Sequence, residues 1–174
     1  MDTLFNQPLF MLNFRNASGA DIALLSSLAR EIWMSYYPGI ISTQQIEYML
    51  GLMYSSETIE QELNRGVLWV IIEVDSEPVG FMSFAPYNND EIKLHKLYLK
   101  MEHQGKGFGK ASLGYVIGYA NEHYCKRVCL TVNKNNIKAI KTYERSGFIR
   151  TESIVNDIGG GFVMDDYVYI YRIN

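Results

Sequence analysis

Three glycines at alternate positions lie between two segments of different periodicity near the middle of the chain. The segment is Gln104-Gly105-Lys106-Gly107-Phe108-Gly109-Lys110, after a predicted strand over 91–99 and at the start of a predicted helix over 110–124. Glycine has no side chain, so the backbone can approach a ligand closely and adopt unusual angles. The first amides of a helix lack partners within it and carry partial positive charge. The segment therefore predicts a phosphate site.

The spacing of the glycines excludes two common phosphate loops. A Walker A loop has the pattern G-x-x-x-x-G-K-[ST], whereas here Ala111 follows Lys110 and Gln104 occupies the place of the first glycine. A dinucleotide fingerprint has the pattern G-x-G-x-x-G, and the third glycine here comes one residue too early. The pattern that remains is Q-x-x-G-x-G, at Gln104, Gly107 and Gly109.

A second motif follows, with Asn136, Ala139, Tyr143, Gly147 and Phe148 in the pattern N-x-x-A-x-x-x-Y-x-x-x-G-F. Ala139 and Tyr143 share a helix face, and Gly147 stands where a left-handed residue would end that helix. Phe148 would begin the next strand inside the core. In this order and spacing, the two motifs resemble those of the GCN5-related N-acetyltransferase (GNAT) family, which binds acetyl-coenzyme A.

The resemblance extends from about residue 67 to residue 148 and implies an α/β GNAT fold. We expect a single domain over residues 1–174, in which helices cover both faces of a mixed, mostly antiparallel seven-stranded sheet. The length suits one domain, and the hydrophobic periodicity agrees with this order of elements. Predicted helices cover 22–32, 43–53, 56–64, 110–124 and 137–146, and predicted strands cover 9–15, 67–74, 79–84, 91–99, 127–132, 148–154 and 165–172.

The resemblance also implies an acyltransferase in which the amine attacks the thioester of acetyl-CoA directly. The main chain of residues 104–110 would hold the pyrophosphate. The end of the fourth strand, at Leu97, Tyr98 and Leu99, would diverge from the next strand and bind the pantetheine arm, although the same residues could be ordinary core. Asn136 matches the family asparagine that meets this arm.

The candidate catalytic groups lie on the same strand and on the helix of the second motif. The amide of Leu99 or Tyr98 would stabilise the oxyanion, and Tyr143 matches the family tyrosine that protonates the departing thiolate. Alternate positions of a strand share a face, which would place Glu91, Lys93, His95, Leu97 and Leu99 together. His95 has a suitable ordinary pKa for the base, and Glu91 is the second candidate. Tyr143 could instead be a core tyrosine of an amphipathic helix, and His95 could instead be a half-buried structural histidine.

The acceptor amine is expected near the helices after the first strand and the connection before the last one. These segments carry carboxylates and aromatic rings, which suit an alkyl amine, and residues 162–166 look somewhat like those of bacterial spermidine/spermine acetyltransferases of the PaiA type. A protein N-terminus, a lysine, or cofactor binding without turnover stays open. The residues are Glu31, Trp33, Tyr36, Tyr37, Tyr48 and the segment 157–162.

Composition limits the partners. The net charge of −3 does not favour nucleic-acid binding, which requires a basic face. Cys125 and Cys129 are too few for a disulfide framework or a zinc quartet, and we expect buried thiols in a reducing cytoplasm. Residues 1–8 lack the features of a signal peptide, and no apolar run reaches the roughly 18–20 residues of a membrane span. No metal is expected, and the resemblance allows a homodimer.

Overall fold

The structure is a computed structural model that describes residues 10–173, within which seven strands and five α-helices alternate along the chain. Leu9, at the start of the first predicted strand, lies outside the described residues. The strands are β1 (Leu12–Asn16), β2 (Leu68–Val74), β3 (Glu77–Asn88), β4 (Glu91–Leu99), β5 (Arg127–Asn133), β6 (Ile149–Gly159) and β7 (Phe162–Arg172). The helices are α1 (Ile22–Tyr36), α2 (Thr43–Tyr54), α3 (Ser56–Asn64), α4 (Phe108–Glu122) and α5 (Ile137–Arg145).

All the strands form one sheet in the order β1-β2-β3-β4-β5-β7-β6. Only the β4–β5 pair is parallel among the neighbours in this order. Helices α1, α2 and α3 cover one face, where Trp33, Ile46 and Phe81 share a buried cluster. Helices α4 and α5 cover the other face, around Val116 and Leu130. The predicted mixed, mostly antiparallel seven-stranded sheet with helices on both faces is confirmed.

The continuous apolar run of β2 follows from this double cover. Ile71 packs into the cluster beneath α1–α3, whereas Val70 and Ile72 pack into clusters on the opposite face. A strand with both faces buried has no polar side to present, so its sequence does not alternate. None of the helices within residues 10–173 has the length and hydropathy to cross a membrane.

Strand β4 contains a bulge at His95. Ser83 of β3 pairs with Lys96 and the next residue, Phe84, pairs with Leu94, so His95 is an extra residue in the ladder. A bulge shifts the alternation of side chains by one position. Accordingly Leu94 and Leu97 pack in the same cluster on the α4–α5 face.

The predicted common face of β4 is therefore wrong. Leu97 and Leu99 pack on the α4–α5 side of the sheet, and Glu91 and Lys93, which alternate with Leu94 before the bulge, point to the other side. The pattern of apolar and polar residues does not distinguish a bulged β4 from a regular one. In either case the strand would be partly buried on both of its faces, so no clear alternation is required.

Strands β4 and β5 separate after a short parallel ladder. The pairing runs from Glu91 and Arg127 to Leu94 and Leu130 and ends there. Beyond this point β4 continues to pair with β3, while β5 continues to pair with β7 up to Asn133. The sheet therefore opens into a cleft between two strands that are each held by their other neighbour.

The hairpin of β6 and β7 is longer than predicted, since its strands extend to Gly159 and from Phe162. Gly159, Gly160 and Gly161 form the turn with φ angles of +83°, +63° and +80°, a region that favours glycine. A Cβ at Gly160 would lie 2.8 Å from Cε2 of Tyr48. The turn therefore packs closely against α2, which brings the start of β7 beside the cleft.

Candidate active site

The cleft between β4 and β5 continues into a cavity of about 710 Å³. Its walls come from the ends of both strands, the start of α4, one side of α5, and the α1–α2 layer with the start of β7. The cavity therefore reaches from the glycine-rich segment to the face covered by α1 and α2. It brings together residues that are far apart in sequence.

The glycine-rich segment forms the N-terminus of α4. Gly105 and Gly107 have φ angles of +74° and +88°, and the amide of Ala111 donates to the oxygen of Gly107 at 3.0 Å. The amides of residues 108–110 therefore precede the first hydrogen bond of the helix and are available to an anion. Helix α4 begins at Phe108 rather than at the predicted Lys110.

Side chains around this end of the cavity are cationic. Lys110 of α4 lines the cavity, as do Lys138, Lys141 and Arg145 of α5. Together with the free amides, they make this end complementary to a polyanion such as the phosphates of coenzyme A. The loop geometry and the charge both fit the predicted cofactor.

Three side chains of the segment have structural contacts of their own. The Gln104 amide group donates to the oxygen of Leu99 at 3.1 Å and so ties the loop to the end of β4. Phe108 is buried in a core cluster with Leu99, and the Lys106 ammonium lies 5.4 Å from the ring centroid of Phe10. Neither Lys106 nor Phe108 lines the cavity, so their predicted contribution is limited to main-chain amides.

The free edge of β4 carries the amides of Leu97 and Leu99. The amide of Lys100 donates to the oxygen of Val79 at 2.9 Å. Antiparallel pairs alternate between residues that exchange main-chain bonds and residues whose groups point away. Tyr98 therefore directs its amide toward β3, and the prediction of Tyr98 as an oxyanion donor is wrong. The amide of Leu99 stays the predicted oxyanion donor, and the amide of Leu97 points to the same free edge.

Tyr143 projects from α5 into the cavity. Burial, and to a smaller extent the nearby Tyr36 hydroxyl, raise the pKa of Tyr143 above its ordinary value. The phenol therefore stays protonated at neutral pH and is available as a hydrogen-bond or proton donor. Its predicted place beside the sulfur of the cofactor stays a prediction.

Asn136 begins α5 and connects it to α1. Its side-chain oxygen accepts hydrogen bonds from the amide of Ala139 at 3.2 Å and from the hydroxyl of Tyr36 at 2.6 Å. Asn136 lines the cavity, but its side-chain oxygen already accepts from two donors, the Ala139 amide and the Tyr36 hydroxyl. Any contact with the cofactor arm is therefore left to the Asn136 amide nitrogen.

The two predicted bases lie at different places on β4, Glu91 at its start and His95 at its centre. His95 lines the cavity at the bulge, whereas Glu91 lies outside it, is buried, and accepts from Nε of Arg127 at 3.2 Å. Burial, Lys96 and Lys93, in that order, lower the pKa of His95 to about 4. This pKa lies below the ordinary histidine value on which the choice of His95 was based, and Glu91 is not brought to the cavity.

A carboxylate that the sequence analysis did not select lies in the same cavity. Asp166 of β7 is 2% exposed, and its Oδ1 has no hydrogen-bond partner among the described residues. Burial first, and Asp165 second, raise the pKa of Asp166 to about 6, while Lys134 opposes this shift. The sequence did contain a signal for this carboxylate. Asp166 lies two positions after Met164, and therefore on the same face of a strand whose other residues on that face are mostly apolar.

The predicted acceptor residues divide into two groups. Trp33, Tyr36 and Tyr37 line the cavity and form its aromatic wall. Glu31 is exposed and pairs with the Lys100 ammonium at 3.0 Å, away from the cavity lining. The Tyr48 hydroxyl donates to the oxygen of Ile158 at 2.7 Å and supports the β6–β7 hairpin.

Comparison with known proteins identifies a family and named relatives. The model of the acetyltransferase (GNAT) family matches residues 27–148. Spermidine N(1)-acetyltransferase of Thermoplasma acidophilum is 28% identical over 159 residues, which cover 88% of this chain and 96% of the relative. Spermine/spermidine N(1)-acetyltransferase of Bacillus subtilis is 41% identical over 82 residues, which cover 42% of this chain and 54% of the relative.

A solved structure is similar over nearly the whole chain. The crystal structure of PaiA N-acetyltransferase from Thermoplasma acidophilum in complex with coenzyme A is similar with a TM-score of 0.78 and 27% identity. The match covers 94% of this chain and 99% of that one. The likeness therefore includes the segments before and after the region that the family model matches.

The glycine-rich segment can be tested by Gly107→Glu. The substitution places a carboxylate at the helix N-terminus, where a diphosphate would bind, and like charges at such contacts cost several kcal/mol, or at least about 100-fold in affinity. We expect isothermal titration to show this loss for acetyl-CoA.

Gly66→Glu is the matched control for the strain of a left-handed residue. Gly66 has a φ of +83°, and an added Cβ meets nothing within 4 Å there, as at Gly107. Both variants bear a strain of about 1–2 kcal/mol, but Gly66 lies outside the cavity lining. Equal acetyl-CoA affinity in both variants would contradict the loop assignment.

Proposed function

The chain belongs to the acetyltransferase (GNAT) family and is an N-acetyltransferase that uses acetyl-CoA, and we propose that its acceptor is a primary amine of a small polyamine. The family and cofactor predicted from the two motifs are confirmed. The observation that carries the acceptor proposal is the continuity of one cavity from the cationic end at Lys110 to the aromatic wall at Trp33 and Tyr36. The relatives named for spermidine and spermine support the same acceptor class.

We propose the following parts in acetyl transfer for the residues of the cavity. The amides of residues 108–110 and the cations of α5 would hold the diphosphate and phosphate groups of acetyl-CoA, and the free main-chain edge at Leu97 and Leu99 would bind the amide-rich arm as an added strand does. The same edge offers an amide to the carbonyl oxygen that becomes negatively charged. A donor of this kind is typically worth about 3 to 4 kcal/mol of barrier.

Two proton transfers complete the proposal. The amine must lose a proton before or during its attack, because an alkyl ammonium has a pKa near 10. His95, neutral at pH 7, is the proposed acceptor of this proton. The sulfur of coenzyme A leaves as a thiolate and takes a proton from the hydroxyl of Tyr143, whose raised pKa keeps it protonated until that step.

The proposal includes a cytoplasmic location. Cys125 and Cys129 are free and buried, which agrees with a reducing compartment. A homodimer stays a prediction from the family resemblance alone.

A screen of amines tests the acceptor. Spermidine, spermine, an aminoglycoside, a peptide with a free N-terminus and a lysine peptide are each incubated with acetyl-CoA, and thiol release is measured. We expect the polyamines to have the highest kcat/KM. Preference for a peptide would replace the small-amine acceptor with a protein, and thiol release with none of them would favour a protein that binds coenzyme A without turnover.

Tyr143→Phe tests the proposed acid. We expect kcat to fall by about 100-fold, at the lower end of general-acid effects, because a thiolate is already a fairly good leaving group. The acetyl-CoA dissociation constant should change much less, because the ring remains. The control is Tyr115→Phe, which removes a hydroxyl from a tyrosine that packs outside the cavity against Phe14 and Phe84. A similar kcat in both variants would show that the Tyr143 hydroxyl is not part of the mechanism.

His95→Ala tests the proposed base, with Glu91→Gln as its comparison. We expect kcat to fall by about 100-fold for His95→Ala and to stay within about twofold for Glu91→Gln. In the wild type, His95 is protonated, and unable to accept a proton, only as the pH falls toward about 4. The acid limb of kcat should therefore lie near that value, and a limb unchanged by His95→Ala would show that another group or water accepts the proton.

A further inference from the structure

Asp166 lies where the acceptor side of the cavity meets the sheet. It pairs across the β5–β7 ladder with Asn133, which also lines the cavity. Its neighbour on the same strand face, Met164, packs with the cluster beneath α1–α3. The Asp166 carboxylate therefore faces the layer that carries Trp33 and Tyr36, rather than the layer of α4 and α5.

The environment of Asp166 lacks a partner for a carboxylate. The residue is 2% exposed and its Oδ1 accepts no hydrogen bond within residues 10–173. Asp166 is also the single Asp or Glu among the described residues that line the cavity. Burial of an unpaired carboxylate is costly, so its place in the cavity requires a reason other than stability.

The adjacent Asp165 has the usual environment of an aspartate, exposed and paired with a cation. Its side chain is 51% exposed and forms an ion pair with the Lys134 ammonium. The two residues carry the same charge on successive positions of β7, but only Asp166 is buried, lacks a partner for Oδ1 among the described residues, and is directed into the cavity. The contrast indicates that Asp166 meets its partner when a ligand enters.

We infer that the Asp166 carboxylate binds a charged ammonium group of the acceptor and thereby selects polycationic amines. This inference rests on the proposed function, because it names a binding group for the same substrate class. A diamine or polyamine can keep one nitrogen charged against Asp166 while another reacts. An amino acid would bring its own carboxylate into a site that already holds one, which is unfavourable by like-charge repulsion.

Direct binding of spermidine to the coenzyme A complex tests the inference without requiring turnover. We expect Asp166→Asn to weaken spermidine binding by about 10- to 100-fold, the usual effect of losing a hydrogen bond between charged groups. Asp165→Asn removes the same charge one residue away and should leave the affinity within about twofold. Coenzyme A affinity should stay within about twofold in both variants, because its phosphates bind at the other end of the cavity.

A second variant restores the charge from the opposite strand. Asn133→Asp, added to Asp166→Asn, places a carboxylate on the cross-strand partner, whose Cβ lies about 5 Å away in a sheet pair. We expect this double variant to recover most of the spermidine affinity. The steady-state KM for spermidine should follow the same order among the variants, with kcat less affected.

The pH dependence of the free energy of unfolding shows whether Asp166→Asn folds normally. The pKa of Asp166 is raised from 3.8 to about 6 in the folded chain, so its ionisation disfavours folding as the pH rises through this range. The Asn variant should therefore be as stable as the wild type below pH 4 and more stable above pH 6. This change would show that the carboxylate is not held there by structural contacts.

Several outcomes would overturn the inference. Unchanged spermidine affinity in Asp166→Asn would do so, as would absence of spermidine binding to the wild type. A lower kcat at unchanged KM would assign Asp166 a role in proton transfer instead, and loss of coenzyme A binding without rescue by Asn133→Asp would assign it a structural role. Failure of the proposed function is a separate result, since it appears as absence of thiol release by the wild type with every amine.

Discussion

The separation of β4 from β5 is the constraint on which the rest of the site depends. The two strands pair only as far as Leu94 and Leu130, and then each remains with its other neighbour. A continued parallel ladder would consume the main-chain groups of Leu97 and Leu99, and such groups need partners wherever they are buried. The open edge therefore offers hydrogen bonds to an extended ligand, at a place where the sheet itself provides rigid support.

The bulge at His95 also determines which charged group lies beside the free edge of β4. By shifting the alternation, it directs Lys96 toward the α1–α3 layer. There the ammonium is buried, donates to the Glu62 carboxylate at 2.7 Å and lies 4.7 Å from the ring centroid of Trp69. Burial lowers the pKa of Lys96, and Glu62 opposes that shift. The cation beside His95 disfavours a second positive charge, so the imidazole stays neutral over a wider pH range than a histidine without a cationic neighbour.

The sequence predicted those parts of the molecule that depend on local signals. The bounds of β4, the start of α5 at Ile137 and the glycine turn that leads into α4 all follow from short motifs whose chemistry is contained in a few residues. The bulge was not predictable, because one extra residue leaves the hydrophobicity of β4 unchanged. Asp166 was missed for another reason, namely that its burial depends on β5, α1 and α2, which are distant in sequence from β7.

This difference between local and long-range signals explains why the sequence alone predicted the cofactor end of the cavity better than its acceptor end. A diphosphate is recognised by the amides of one helix terminus and by a set of cations on one neighbouring helix, and both leave regular patterns in the sequence. The acceptor end is assembled from α1, α2, β5 and the β6–β7 hairpin, so the buried Asp166 carboxylate and the aromatic wall exist only after the chain has folded. Opposite charges at the two ends of one cavity then orient an anionic donor and a cationic acceptor toward the central stretch of β4, where an amide, a phenol and an imidazole line the same space.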